Sequence, residues 1–237
     1  MPQTNTFQIT IRRASDRFHS NHGWLDSRHT FSFANHFDPA HVNYRSLRVI
    51  NDDTVMPGRG FGTHPHQSME IFTYVISGAL EHRDSMGNGR TITAGQLQYM
   101  SAGDGVEHSE FNPSSEHKSH FLQIWIAPST SGGEPRYQDF DTMPLRLTNG
   151  LTRLVSPDGH PGTMPIRQNA EIHFGLLEAG RELDLTRNES FPHNWLHLIK
   201  GSLKLDDATL QPGDGASFES SVTASATEDA EFLLFRL

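Results

Sequence analysis

Apolar residues in this chain are grouped in a way that leaves few folds open. They come in runs of four to six, such as Leu47–Ile50, Ile71–Ile76, Phe121–Ile126, His173–Leu177, Trp195–Ile199 and Phe232–Phe235, rich in β-branched and aromatic side chains. A helix that buries one face needs apolar positions three and four apart over many turns, and nowhere does that period persist for fifteen positions. Several runs stop at glycine turns: Ser77-Gly78, Gly87-Asn88-Gly89, Lys200-Gly201 and Pro212-Gly213-Asp214-Gly215. Many short strands at fairly regular spacing predict an all-β sandwich or barrel.

The pattern occurs twice. The segments His64–Gly78 and Arg187–Gly201 both end in an apolar strand and a glycine turn, and laying them together puts Gly78 on Gly201, 123 residues away in a chain of 237. A second short strand follows each turn, then Ala94-Gly95 in one half and Pro212-Gly213-Asp214 in the other. Two related β-domains in tandem are therefore expected, residues 1–137 and 138–237, with the Gly- and Pro-bearing stretch Ser129–Asn149 as their connection.

Cysteine is absent, which excludes disulfides, thiolate metal ligands and thiol nucleophiles, and leaves fifteen histidines as the main chemical resource. His64 and His66 are two apart, so on an extended strand they leave the same face. Pro65 between them cannot donate to a ladder, which places the pair at an edge, a strand start or a bulge. His108 and Glu110 repeat the spacing 44 residues further on, and the two pairs are expected to face each other across a small barrel. Three imidazoles and a carboxylate suit a divalent transition metal and leave two octahedral positions open for substrate or O2. The aligned positions in the second half are Arg187, Glu189 and Ala226, which do not reproduce that set. The second domain is expected to be structural or a partner surface, with His193 and His197 as spacer or core residues. His117, His120, His160 and His173 read as surface or core residues, and Trp24, Trp125 and Trp195 as core. Phe31, Phe33, Phe61 and Phe72 read as packing residues that also suit a pocket wall.

A net charge of −9 disfavours a phosphate-binding surface and direct nucleic-acid contact. No run approaches the ~20 apolar residues of a membrane helix. The start, MPQTNTFQITIRR, lacks the apolar centre of a secretory signal, so a cytoplasmic protein is expected.

The spacing Gly58-x5-His64-x-His66-x3-Glu70, followed by Gly105-x2-His108-x3-Asn112, resembles the two cupin motifs, which lie on opposing strands of a jelly-roll barrel. More closely, His64-Pro-His66, Gly78 with His82-Arg-Asp84-Ser-Met-Gly-Asn88, Ser101-Ala-Gly103 and His108-Ser-Glu110 resemble the pirin family. The stretches His22–Phe33 and Gln123–Ile126 fit it too, and the likeness is strong to about Tyr137 and looser beyond. The resemblance implies two tandem cupin barrels, a bicupin, with one divalent metal in the first. Fe(II) is the usual ion, and Mn, Ni, Cu and Zn also accept such ligands. In pirin-like proteins the acidic ligand comes from the second motif, which implies His64, His66, His108 and Glu110, with Glu110 also as the base. Glu70 is the reserve carboxylate, because general cupins take theirs from the first motif. His82 and Asp84 fit either support of the strand pair or a place behind the ligands. The implied activity, that of bacterial pirin-like quercetin 2,3-dioxygenases, is cleavage of a flavonol with O2 and release of CO by a monomer. The alternative, implied by eukaryotic pirin, is a metal-dependent redox sensor that binds a protein partner.

Overall fold

A strand buried on both faces reads as an unbroken apolar run, whereas a strand with one wet face alternates. Both kinds occur here, and they sort into different sheets of the computed structural model, which describes residues 9–237. Glu70–Ser77, Ser119–Ile126, Asn194–Lys200 and Ala230–Arg236 are buried along most of their length and lie inside two seven-stranded sheets. Val106–Phe111 alternates between buried and more exposed positions and lies in a four-stranded sheet. The first eight residues, and with them most of the stretch read for a secretory signal, lie outside the described residues.

The first barrel is a seven-stranded sheet packed on a four-stranded one. The larger sheet runs Arg136–Asp141, Gln96–Ser101, Glu70–Ser77, Ser119–Ile126, Leu47–Val55, Leu25–His29, Phe18–Asn21. The smaller runs Gly60–His66, Val106–Phe111, Ala79–Asp84, Gly89–Thr93. The second barrel repeats the order: its four-stranded sheet is Glu182–Leu185, Val222–Ala226, Leu203–Leu205, Ala208–Leu210. The repeat read from the glycine turns is thus a repeat of topology. Helix among the described residues is limited to the short 3-10 turns Ala14–Asp16 and Met143–Leu145, and no helix there is long and apolar enough to cross a membrane. The 137/138 division falls inside Arg136–Asp141, which pairs with Gln96–Ser101 at the edge of the first sheet. Thr10–Arg12 takes the same edge position in the second barrel, paired with Gly215–Phe218.

The two seven-stranded sheets pack against each other. Phe72, Tyr74, Leu97, Tyr99, Leu122 and Ile124 from the first join Leu154, Ile172, Phe174, Trp195, Leu233 and Phe235 from the second in one buried cluster. The barrel interiors differ. The second is filled by leucine, alanine, valine and phenylalanine, Ala226 among them. Arg187 and Glu189 lie exposed on the loop after Glu182–Leu185, paired with each other, and Leu183 and Leu185 pack inward in their stead. In the first barrel two smaller apolar clusters, one around Leu80 and Phe121 and one around Ile71 and Met100, flank a buried polar set of His82, Gln98, His108, Glu110 and Gln123.

Glu70 falls on the face turned to the second barrel, with Phe72 and Tyr74. It is 1% exposed. Its Oε1 accepts the Ser101 hydroxyl at 2.6 Å, and its Oε2 accepts the Tyr99 hydroxyl and, at 3.1 Å, the backbone N–H of Arg167 across the interface. The carboxylate is a cross-link between barrels, and strand alternation keeps it out of the first barrel's interior. Glu70→Ala strips these donors of their acceptor and is expected to lower stability by about 2–4 kcal/mol in urea unfolding. Metal stoichiometry of the folded variant is expected to be unchanged; loss of metal without loss of stability would return Glu70 to the ligand set.

Candidate metal centre

Gly60–His66 is the edge strand of its sheet, as Pro65 demands. Its neighbour is Val106–Phe111, with His64 opposite His108. The pairs His64/His66 and His108/Glu110 therefore lie side by side in one sheet, not across the barrel from each other. Between His108 and Glu110 the register slips, and Glu110 sits opposite Phe61. The extra residue on the edge strand is a bulge, and it brings Phe61 to the same cavity as His64 and His66. Gly60 is required there, since a Cβ would come within 2.1 Å of the Glu110 carbonyl oxygen.

Nε2 of His64 and Nε2 of His108 are 3.1 Å apart. Two imidazole nitrogens at right angles on one ion, each about 2.1 Å from it, would be separated by ~3.0 Å. The His66 ring lies 4.8 Å from both of the others, and one nitrogen from each of the three falls within 4.8 Å of the rest. Glu110 joins through His108, in a second set with His82. The His64 Nδ1–H donates to the Gly62 carbonyl at 2.8 Å, which leaves Nε2 its lone pair. Burial, with neighbouring imidazoles adding to it, holds His66 at a pKa of about 4 and His108 at about 3, so both offer lone pairs at neutral pH. Glu110 is completely buried, and burial pushes its carboxyl up against the opposing pull of His82, His64 and the Thr73 hydroxyl. It accepts from Thr73 at 3.2 Å, Gln98 at 3.4 Å and Gln123 at 2.5 Å. Neutral imidazoles converging beside a buried carboxylate, with nitrogen and oxygen donors alone, fit a divalent transition ion.

A cavity of about 410 Å³ opens on these nitrogens. Trp24, Phe33, Phe61, Ile71 and Trp125 form its apolar walls; Trp24 meets Phe61 edge-on at 5.3 Å, and Trp125 meets His66 edge-on at 4.9 Å. Trp24 and Trp125 are thus half-buried cavity walls and not core, while Trp195, Phe31 and Phe72 pack between the barrels. Asp53 is a functional candidate that sequence reasoning missed. It lines the cavity, accepts from the Ser27 hydroxyl, and burial pushes its carboxyl up to about 7. The available signal is alternation, since Asp53 shares a strand face with Val49 and Val55 within Leu47–Val55. Of the other histidines singled out in the sequence, four are held by hydrogen bonds to carboxylates or by packing. His120 pairs with Asp52 at 2.6 Å, His173 with Glu171 and His193 with Glu219 at 2.8 Å each, and His197 is buried. His117 and His160 are exposed.

The Pirin family model matches residues 10–126, and one described as the quercetinase C-terminal cupin domain matches residues 153–237. A quercetin 2,3-dioxygenase of Escherichia coli (strain K12) is 43% identical over 234 residues, covering 97% of this chain and 98% of that protein. The structure of the bacterial pirin YhhW from Escherichia coli in complex with nickel(II) matches with a TM-score of 0.92 at 41% identity, over 97% of this chain and 99% of that one. A quercetin 2,3-dioxygenase from Acinetobacter baumannii shares the fold, with a TM-score of 0.77 at 22% identity over 97% of this chain and 85% of that one. Matched along nearly its whole length in sequence and in three dimensions, the chain belongs to the pirin family.

Proposed function

We propose that this protein is a metal-dependent dioxygenase that cleaves a flavonol-like aromatic substrate with O2 and releases CO. The observation that carries the reading is the chamber: a largely apolar cavity of substrate size that opens directly on three converging imidazoles. The names borne by its relatives point the same way. His64, His66, His108 and Glu110 would hold one divalent ion per chain. Fe(II) is our first assignment; nickel(II) occupies the related Escherichia coli pirin, and Mn, Cu and Zn suit the same donors. Such an ion, when bound, supplies Lewis-acid stabilisation of a substrate oxygen anion.

The chain's own residues do the rest. Trp24, Phe33, Phe61 and Trp125 form the apolar walls that would grip a flat ring system and exclude water from it. Glu110 takes the proton of the substrate hydroxyl. Burial raises its proton affinity, which is what a base working near neutral pH requires, and Thr73, Gln98 and Gln123 fix its orientation. A regulator that reads only the oxidation state of its metal needs no such chamber, so the geometry favours turnover over signalling. We also infer a cytoplasmic protein and, from the family resemblance, a monomer.

Protein loaded with Fe(II), and separately with Ni(II), is expected to consume O2 and release CO from quercetin in equal amounts with at least one of the two. His108→Ala should reduce both signals by about a hundredfold or more. Glu110→Gln is expected to retain part of its metal and lose turnover; bleaching of quercetin at the parental rate would sink the base assignment. Fully loaded protein that yields no CO would overturn the flavonol reading.

A second expectation concerns pH. Native His66 and His108 refuse protons down to about 4 and 3, whereas in the unfolded chain they titrate near 6.5. Between pH 6.5 and 4 the unfolded state therefore binds more protons, so the stability of metal-free protein falls as pH drops through that window. Tm measured across it should decline, and the double variant His66→Gln, His108→Gln should decline less steeply. Equal slopes would contradict the burial assigned to these rings.

A further inference from the structure

The metal ligands leave one sequence motif unexplained, His82-Arg-Asp84-Ser-Met-Gly-Asn88. The turn it forms anchors a carboxylate. Asp84 Oδ1 accepts the backbone N–H groups of Met86 at 2.9 Å and Asn88 at 3.0 Å, and the Asn88 amide donates to both carboxylate oxygens, at 3.1 and 2.9 Å. Burial opposes ionisation of Asp84, and the bonds from Asn88 and His82 outweigh it, holding the group below the usual carboxylate range. Its Oδ2 meets Nε2 of His82 at 3.1 Å, with both side chains fully buried. An ionised carboxylate only accepts, so His82 donates from Nε2.

The other nitrogen of His82 looks toward the metal centre. Nδ1 lies 3.3 Å from Nε2 of Gln98 and 3.4 Å from Nδ1 of His108. Glu110 orients the Gln98 amide, because it accepts from the amide nitrogen, and the Gln98 oxygen is left for the Tyr137 hydroxyl at 3.3 Å. The Gln98 N–H group thus faces Nδ1 of His82, which must carry a lone pair. Nδ1 of His108 faces the same lone pair, and only an N–H there avoids repulsion. The proton on Nδ1 leaves Nε2 of His108 bare, 3.1 Å from Nε2 of His64, whose own proton is held at the Gly62 carbonyl; two bare nitrogens so close repel unless a cation lies between them, which is the place the ligand assignment gives it. Tyr137 stacks on the His82 ring at 4.7 Å and keeps it in plane.

We propose that Asp84 and His82 form a relay, anchored in the 84–88 turn, that fixes the tautomer of His108 and thereby selects Nε2 as its metal-binding atom. They are positioning residues. The inference rests on the ligand assignment above, since it acts through His108. Outer partners of metal-bound imidazoles commonly set ring orientation and tautomer in this way, but here the partner of the imidazole is a second, carboxylate-tethered imidazole.

Long-range 1H–15N NMR of Zn(II)-loaded, histidine-labelled protein reads the tautomers directly. His108 is expected to carry its proton on Nδ1 and His82 on Nε2; a His108 proton on Nε2 overturns the relay, whatever metal the protein binds. Calorimetric Ni(II) affinity supplies the second readout. Asp84→Asn and His82→Leu are expected to weaken it about 10–100-fold, whereas His82→Asn, whose Oδ1 can replace Nδ1 as acceptor, should stay within about fivefold of the parent. Far-UV circular dichroism and Tm identify variants that fail to fold, in which case the parental tautomers decide. Parental affinity in both Asp84→Asn and His82→Leu would overturn the relay. A parent that binds no Ni(II) at His64, His66 and His108 would refute the metal reading and the relay with it, whereas metal bound with the His108 proton on Nε2 would overturn the relay alone.

Discussion

Two seven-stranded sheets bury their outer faces against one another, and the other features of this molecule depend on that seam. A sheet in this position has no wet side: one face packs between the barrels, and the other encloses a barrel interior. The seam draws large side chains from both halves, and each such side chain contributes roughly 1.5–3 kcal/mol when fully buried. With the seam and the second barrel carrying most of the apolar burial, the first barrel can hold His82, Gln98, His108, Glu110 and Gln123 in its interior. Those groups tolerate burial because they satisfy one another's hydrogen bonds.

The barrels share a strand order and differ in what fills them. Val222, Ala224 and Ala226 face an interior closed by Leu183, Leu185 and Phe232. The matching sheet of the first barrel carries His108 and Glu110 beside a bulged edge strand with His64 and His66. One fold thus is filled in one copy and holds a cavity with the candidate metal centre in the other. The bulge and Gly60 distinguish them at the backbone, since they allow the edge strand to bring Phe61 and both histidines to one cavity.

Behind this chamber, polar groups are arranged so that their protons have few alternatives. Carboxylates that only accept stand at Asp84 and Glu110, and the direction of each intervening hydrogen bond follows from them. The effect reaches His108 although neither Asp84 nor His82 lines the cavity. Asp53 stands apart, a buried acid on the cavity wall whose one hydrogen-bond partner from the described residues is Ser27.

Much was legible in the chain. Short apolar runs ending at glycine implied strands, the repeat of those turns implied two like domains, and His64-Pro-His66 implied an edge, a strand start or a bulge with both imidazoles on one side. These follow from local stereochemistry: two-residue side-chain alternation, the missing proline donor and the conformational freedom of glycine. What the chain could not show is which way a doubly buried strand faces. In Ile71–Ile76 and Phe121–Ile126 every position is apolar or buried, so no alternation reveals that Trp125 and Ile71 line the chamber while Glu70 and Ile124 face the second barrel. The same gap put the two candidate ligand pairs across the barrel when they are neighbours in one sheet, and Arg187 and Glu189, aligned with His64 and His66, lie on a loop. Ligand types and spacing were thus settled by the sequence, through local geometry. The convergence of the candidate ligands, the chamber beside them and the relay behind them were decided by strand pairing between residues distant in the chain, His64 with His108 and Ile71 with Trp125 among them, which only the folded sheets bring into contact.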